Sequence, residues 1–241
     1  MKFFDQSNFD VRCEWGLQAL EYLAPSDMVV VVDVLSFSTS VEIATARGAH
    51  IFPYPWKDET APAYAREKEA ELAGMRDRFE GRFSLAPSSL VEIPASLRLV
   101  LPSPNGSTIA FRAMSAGAMV VAGCLRNATA VGAWLQSTGK SATVIPAGER
   151  WPDGSLRYAI EDWIGAGAIL KACARQLSPE AHLAVAAFEK TTPNLLEALL
   201  QSGSGRELAD RGFTRDVELA AEYDVSDSVP FLNKDHFTRA C

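Results

Sequence analysis

Cysteine and histidine are scarce in this 241-residue chain, and neither is clustered. Cys13, Cys124, Cys173 and Cys241 show no Cys-x-x-Cys spacing, which removes the usual zinc and dithiol signatures. His50, His182 and His236 lie far apart, so their spacing supports neither a histidine metal site nor a serine–histidine triad. No apolar run approaches the roughly 20 residues that span a bilayer, and no charged-then-apolar leader opens the chain. The expectation is a reduced, cytoplasmic protein with no membrane segment. Dense Lys/Arg tracts are missing and the formal charge is -7, which argues against nucleic acid or an anionic membrane surface as partner. Gly-x-Gly-x-x-Gly and Gly-x-x-x-x-Gly-Lys-Ser/Thr are absent too, which disfavours a nucleotide-binding domain. A small anion remains compatible, because a metal, a few arginines and helix N-termini act locally.

With 48% apolar and 22% charged residues, the composition is that of an ordinary globular protein large enough to bury a substantial core. The whole chain, 1–241, reads as one α/β unit, divisible at most into two subdomains with the site between them. Its organising stretch is VVVVDVLSFSTSVEIATARGA, from Val29 to Ala49. Val29 to Val32 are too few for a helix but suit a strand buried on both faces, the mark of a parallel sheet covered by helices. Asp33 ends the run. Ser36, Ser38 and Thr39 are residues that cap helix starts, and Gly48 stands where a left-handed helix stop belongs. A strand thus delivers a carboxylate and three hydroxyls to the mouth of a helix, where free N–H groups favour an anion and Asp33 suits a hard cation such as Mg²⁺.

The rhythm of strand, polar loop and helix recurs. An early strand and a short helix around Glu14 to Leu23 open the chain, Ile51 to Pro55 reads as a strand, and Thr60 to Met75 as a helix. Arg98 to Leu101 is a strand running into Ser103-Pro104-Asn105-Gly106-Ser107-Thr108. Asn-Gly tolerates positive φ, and Ser107 and Thr108 would cap the helix that follows, so the turn is either an anion nest or a plain strand-to-helix connection. Ala118 to Ala122 is a strand, and Asn127 an N-cap for the helix after it. Ala142 to Ile145 then leads into the loop holding Gly148, Glu149 and Arg150, followed by a long helix from about Ser155 to Leu177. That helix carries Glu161 and Asp162 among apolar neighbours, then Gly165, Ala166, Gly167 and Ala168. Buried carboxylates need partners, and two glycines in one turn imply tight packing or a nearby ligand. Val185 to Phe188 is readable as a strand or as part of a helix, and Gly203-Ser204-Gly205-Arg206 as a helix start or an anion loop. Alternation of this kind gives a largely parallel sheet with helices on both faces, and ligands collect beyond its strand carboxyl ends.

Three stretches, VVVVDVLSFSTS, LPSPNGSTIAF and IPAGERWPDGSLRYAIEDWIGAGAIL, together resemble the 2-phosphosulfolactate phosphatase (ComB-like) family, and the likeness runs from about Val29 to Phe231. The resemblance implies a three-layer α/β/α fold with a largely parallel or mixed sheet. It also implies Mg²⁺-dependent hydrolysis of 2-phosphosulfolactate to sulfolactate and phosphate, a step that in many organisms leads toward coenzyme M. On that reading Asp33, Glu161 and Asp162 are the catalytic carboxylates, with Asp33 and Glu161 at the metal. Ser36, Ser38, Thr39, Asn105, Gly106, Ser107, Thr108, Gly148, Glu149 and Arg150 would contact the substrate and its phosphate. The partner expected is a small anionic phosphorylated substrate, with a homo-oligomer as the common default. Ser36 stands where many members carry arginine, and AGMRDRFEGRF occupies the place of a Gly-Gly-Glu-Arg loop. Arg150, Arg157, Arg76 and Arg78 are the candidates for the missing positive charge. The rival from another class is a non-catalytic binding protein for a phosphorylated or sulfonated metabolite.

Overall fold

The computed structural model describes residues 3–55, 59–74 and 82–240. The strands among them are β1 (Val11–Cys13), β2 (Met28–Val32), β3 (His50–Tyr54), β4 (Glu71–Leu72), β5 (Arg98–Pro102), β6 (Met119–Gly123), β7 (Ala142–Pro146), β8 (Glu149–Arg150), β9 (Leu156–Arg157), β10 (Pro230–Asn233) and β11 (His236–Arg239). The helices are α1 (Gln18–Tyr22), α2 (Phe37–Ala46), α3 (Ala61–Glu67), α4 (Gly106–Ser115), α5 (Ala128–Thr138), α6 (Ile160–Lys171), α7 (Pro179–Thr191), α8 (Leu195–Gln201), α9 (Gly203–Asp210) and α10 (Thr214–Ala221). Nine strands form one sheet in the order β1-β7-β2-β6-β10-β11-β3-β5-β4, and β8 pairs with β9 apart from it.

Burial on both faces explains the valine run. Val30 and Val32 pack with Val131 and Leu135 of α5 and Ile164 and Ile169 of α6. Val29 and Val31, pointing the other way as strand alternation requires, pack with Phe37 and Val41 of α2 and Ile109 and Ala113 of α4. The result is the three-layer α/β/α arrangement. β2 runs parallel to both β6 and β7, and β3 runs parallel to β5. These two parallel blocks are joined by the antiparallel hairpin β10–β11, which pairs with β6 on one side and β3 on the other. The sheet is therefore mixed, and the hairpin is the element the sequence reading did not anticipate.

Three further expectations change. The helix expected over 60–75 stops at Glu67 and the chain enters β4; Met75 lies outside the described residues. The long helix begins at Ile160 rather than Ser155 and ends at Lys171, because Leu156 and Arg157 pair with Arg150 and Glu149 around a turn in which Gly154 has φ +84°. Non-local pairing there overrides local helix preference. Val185 to Phe188 belong to α7. The small residues of α6 do mark close packing: a Cβ at Gly165 would lie 2.6 Å from Val34 Cγ2, and one at Gly167 only 2.0 Å from the carbonyl oxygen of Ala184 in α7.

Candidate active site

The segments after β2, β5 and β7 meet the N-terminus of α6 at one place. Asp33, directly after β2, is 6% exposed. Its Oδ1 accepts from the N–H of Phe37 at 3.2 Å and its Oδ2 from the N–H of Gly106 at 3.0 Å, so the first turn of α2 and the first residue of α4 fix the carboxylate from two sides. Gly106 is required by space. A Cβ there would stand 2.3 Å from Phe37 Cδ1 and 2.8 Å from Asp33 Oδ2.

Asp162 ties the remaining segments together. Its Oδ1 accepts from Val34 N at 2.7 Å and its Oδ2 from Gly148 N at 2.9 Å. Gly148 itself adopts φ +68°, where glycine is favoured. Burial, then the negative charges of Asp33 and Glu161, push the Asp162 carboxyl well above its ordinary range, although both backbone bonds oppose the rise. Glu161, 2% exposed, has no hydrogen-bond or ion-pair partner among the described residues. Glu149 accepts from Asn105 Nδ2 at 2.9 Å. Burial first, then Asp33, raise its carboxyl from 4.5 to about 7, with Glu161 adding and Asn105 and Arg157 opposing. Four carboxylates, Asp33, Glu149, Glu161 and Asp162, therefore form one electrostatic cluster.

Beside it opens a cleft of about 90 Å³ lined by Gly16, Leu17, Asn105, Ile109, Glu149 and Arg150. A wider one of about 650 Å³, reaching Thr108, Phe111 and Arg112, shares Leu17 and Arg150 with it. Arg150 donates through Nη1 to the carbonyl of Gly154 at 3.0 Å, within its own hairpin. Arg157 donates through Nη2 to Ser204 Oγ at 3.1 Å. Arg76 and Arg78 lie outside the described residues.

The hydroxyls are placed differently from the caps that were expected. Ser38 Oγ accepts from Asp33 N at 2.6 Å and donates to the carbonyl of Val31 at 3.1 Å, and Thr39 Oγ1 donates to that of Val34 at 2.8 Å. Ser107 donates to Leu101 and Thr108 to Pro104. Ser36 stands at the N-cap position of α2 without a side-chain cap bond. Short hydroxyl side chains compete for backbone carbonyls as readily as they cap, and here they hold the Asp33 and Gly106 turns in shape. The N–H of Gly106 is likewise engaged by Asp33, so this donor of the Asn-Gly turn serves the carboxylate. The Asn105–Glu149 and Arg157–Ser204 pairs join residues 44 and 47 apart; no local signal in the sequence reveals such pairings.

The donor chemistry fits a hard cation. Among the described residues no three His, Cys, Asp or Glu side chains form a group able to cage a metal. Mg²⁺ needs less than a cage, since one or two carboxylates with water and substrate phosphate suffice. Asp33 and Glu161, which act together on Glu149 and Asp162, are the two carboxylates that would hold such a cation.

Acidic side chains gathered beyond strand ends of a three-layer α/β sheet define an enzyme whose site handles charge on a small ligand. The chain belongs to the 2-phosphosulpholactate phosphatase family, whose sequence model matches residues 18–235; it is a phosphoric monoester hydrolase. It is 31% identical over 214 residues to a probable 2-phosphosulfolactate phosphatase of Carboxydothermus hydrogenoformans, covering 86% of this chain and 87% of that one. To the 2-phosphosulfolactate phosphatase of Methanothermobacter thermautotrophicus it is 28% identical over 207 residues, covering 85% and 86%. To a probable 2-phosphosulfolactate phosphatase of Thermotoga maritima it is 29% identical over 210 residues, covering 84% and 88%. No helix among the described residues is long and apolar enough to cross a membrane.

The Glu149 environment has a measurable consequence. A carboxyl raised from 4.5 to about 7 on folding adds stability that is complete below about pH 4.5 and is lost as pH rises through 7. In metal-free protein, the gain in thermal midpoint between pH 7.5 and pH 5 is expected to be smaller for Glu149→Gln than for the wild type. Parallel pH profiles for the two proteins would show that Glu149 does not titrate in this window.

Proposed function

We propose that this enzyme hydrolyses 2-phosphosulfolactate to sulfolactate and phosphate in the cytoplasm, with Mg²⁺ as cofactor. The observation that carries the reading is the cluster of four carboxylates at the strand ends, beside a small cleft, in a chain of this family. Asp33 and Glu161 would hold the cation. When bound, it neutralises phosphoryl charge in an in-line displacement by water. Asp33 is suited to its part because two backbone N–H groups fix both its oxygens, so little reorganisation is needed on binding. Asp162 keeps the loops after β2 and β7 in register. Glu149, with its carboxyl near 7, is matched to giving a proton to the ester oxygen as the P–O bond breaks. Arg150, at the rim shared by both clefts, would face the substrate's acid groups.

The test is phosphate release from a panel of phosphorylated 2-hydroxy acids that includes 2-phosphosulfolactate, with Mg²⁺ and with chelator. The expected result is turnover that is highest for 2-phosphosulfolactate and falls by on the order of a hundredfold or more with chelator. Turnover that chelator leaves unchanged would remove Mg²⁺ from the reading. Silence across the panel from folded protein that still binds one of these anions would favour the binding-protein alternative.

A further inference from the structure

We infer that Arg157 is the substrate's anchor: its guanidinium receives a tetrahedral oxyanion of the ligand, a phosphoryl or a sulfonate group, and the first turn of α9, Gly203 and Ser204, positions it. The ligand class rests on the hydrolase reading above. Arg157 ends β9, so the β8–β9 hairpin carries both it and Glu149, whose carboxyl feels Arg157 as its positive neighbour. Its Nη2 donates to the oxygen of Ser204, a side chain only 5% exposed. Gly203 leaves the room for this: a Cβ there would lie 3.1 Å from Nη1.

Besides Ser204, the guanidinium has Trp151 as a neighbour, its Cζ 5.9 Å from the ring centroid. The N-terminus of a helix carries positive partial charge, so a guanidinium resting against it is disfavoured unless something else holds it. Among the described residues no carboxylate lies within ion-pair distance of Arg157, although the cluster beyond it is acidic. In the α9 turn the Gly205 N–H is already given to Ser202 Oγ at 3.0 Å, and Ser204 of the same turn holds the Arg157 cation. Of the five N–H donors of a guanidinium, Ser204 engages one, and the planar fork that remains matches two oxygens of a tetrahedral anion better than an ammonium would.

The test uses the whole chain, with and without Mg²⁺, in calorimetric titrations with inorganic phosphate and with sulfolactate. Lactate serves as the control that keeps the carboxylate and lacks the sulfonate. Arg157→Gln is expected to weaken one of the two probes at least about tenfold, since a hydrogen bond to a charged group is lost, and the probe affected identifies the group that Arg157 receives. Arg157→Lys should recover only part of that loss. Ser204→Ala should weaken the same probe about threefold to tenfold, and Ser204→Thr, which keeps the hydroxyl, should restore it. A general structural defect would weaken both probes alike and lower the thermal midpoint. Unchanged affinity for both probes in folded Arg157→Gln, or equal loss of both, overturns the assignment, and an unaffected Ser204→Ala overturns the positioning role. If the selective loss occurs in a protein that releases no phosphate, the Arg157 assignment stands and the hydrolase reading falls.

Discussion

Asp33→Asn is expected to reduce phosphate release by on the order of a thousandfold while the protein stays folded. Asparagine has the shape of aspartate but one acceptor oxygen where Asp33 has two, and each of those accepts a backbone N–H, from Phe37 and from Gly106. One bond survives and the other donor faces an amide N–H₂, a loss of about 1–3 kcal/mol. A domain of ordinary stability tolerates that. The charge that would hold Mg²⁺ is removed outright. Activity and thermal midpoint should therefore separate, the first collapsing and the second falling by several degrees. A variant retaining more than about a tenth of wild-type turnover would exclude Asp33 from the metal and from the chemistry.

The second large effect is expected at Gly106, and it reaches the same carboxylate through packing. Alanine would bring its Cβ to 2.3 Å from Phe37 Cδ1 and 2.8 Å from Asp33 Oδ2. Phe37 has no space to retreat, being fully buried and packed edge-on against Phe237 with ring centroids 6.0 Å apart. Either α4 moves outward or Asp33 gives way, and both lengthen the Gly106–Asp33 hydrogen bond. Overpacking of this kind costs about 1–3 kcal/mol, and a displacement of about 1 Å at a reacting group costs on the order of a hundredfold in rate. Gly106→Ala should thus lower both kcat and the thermal midpoint, in contrast to Asp33→Asn, whose main effect is on rate. A Gly106→Ala protein with wild-type kcat would show that the turn after β5 does not set the Asp33 geometry.

The parts of this fold that rest on burial were readable in the residues. Four valines in a row announce a strand covered on both sides, and Val30 and Val32 do face α5 and α6 while Val29 and Val31 face α2 and α4. Glu161 and Asp162 amid apolar neighbours announced buried carboxylates, and both are buried. Gly165 and Gly167 announced close packing, which the Val34 side chain supplies at the first and the Ala184 backbone at the second. What depended on partners distant in the chain was not readable. Leu156 and Arg157 are acceptable in a helix and become a strand only because Glu149 and Arg150 lie opposite. β10 and β11 are four residues each, one opening on Pro230, too short to show a period. Ser38, Thr39, Ser107 and Thr108 can cap a helix or bond a carbonyl, and only the folded chain decides between these.

The β10–β11 hairpin also gives assembly a direction. It supplies the strands between β6 and β3, yet it follows every other strand among the described residues. During vectorial synthesis the residues of both parallel blocks are made before the piece that joins them, and each block, once formed, has an unpaired strand edge where the hairpin will lie. Open edges are templates for pairing with other chains, and partly formed sheets are vulnerable to it. The joining of the blocks is thus deferred until residues 230–239 leave the ribosome, and until then the edges of β6 and β3 that the hairpin will cover stay open.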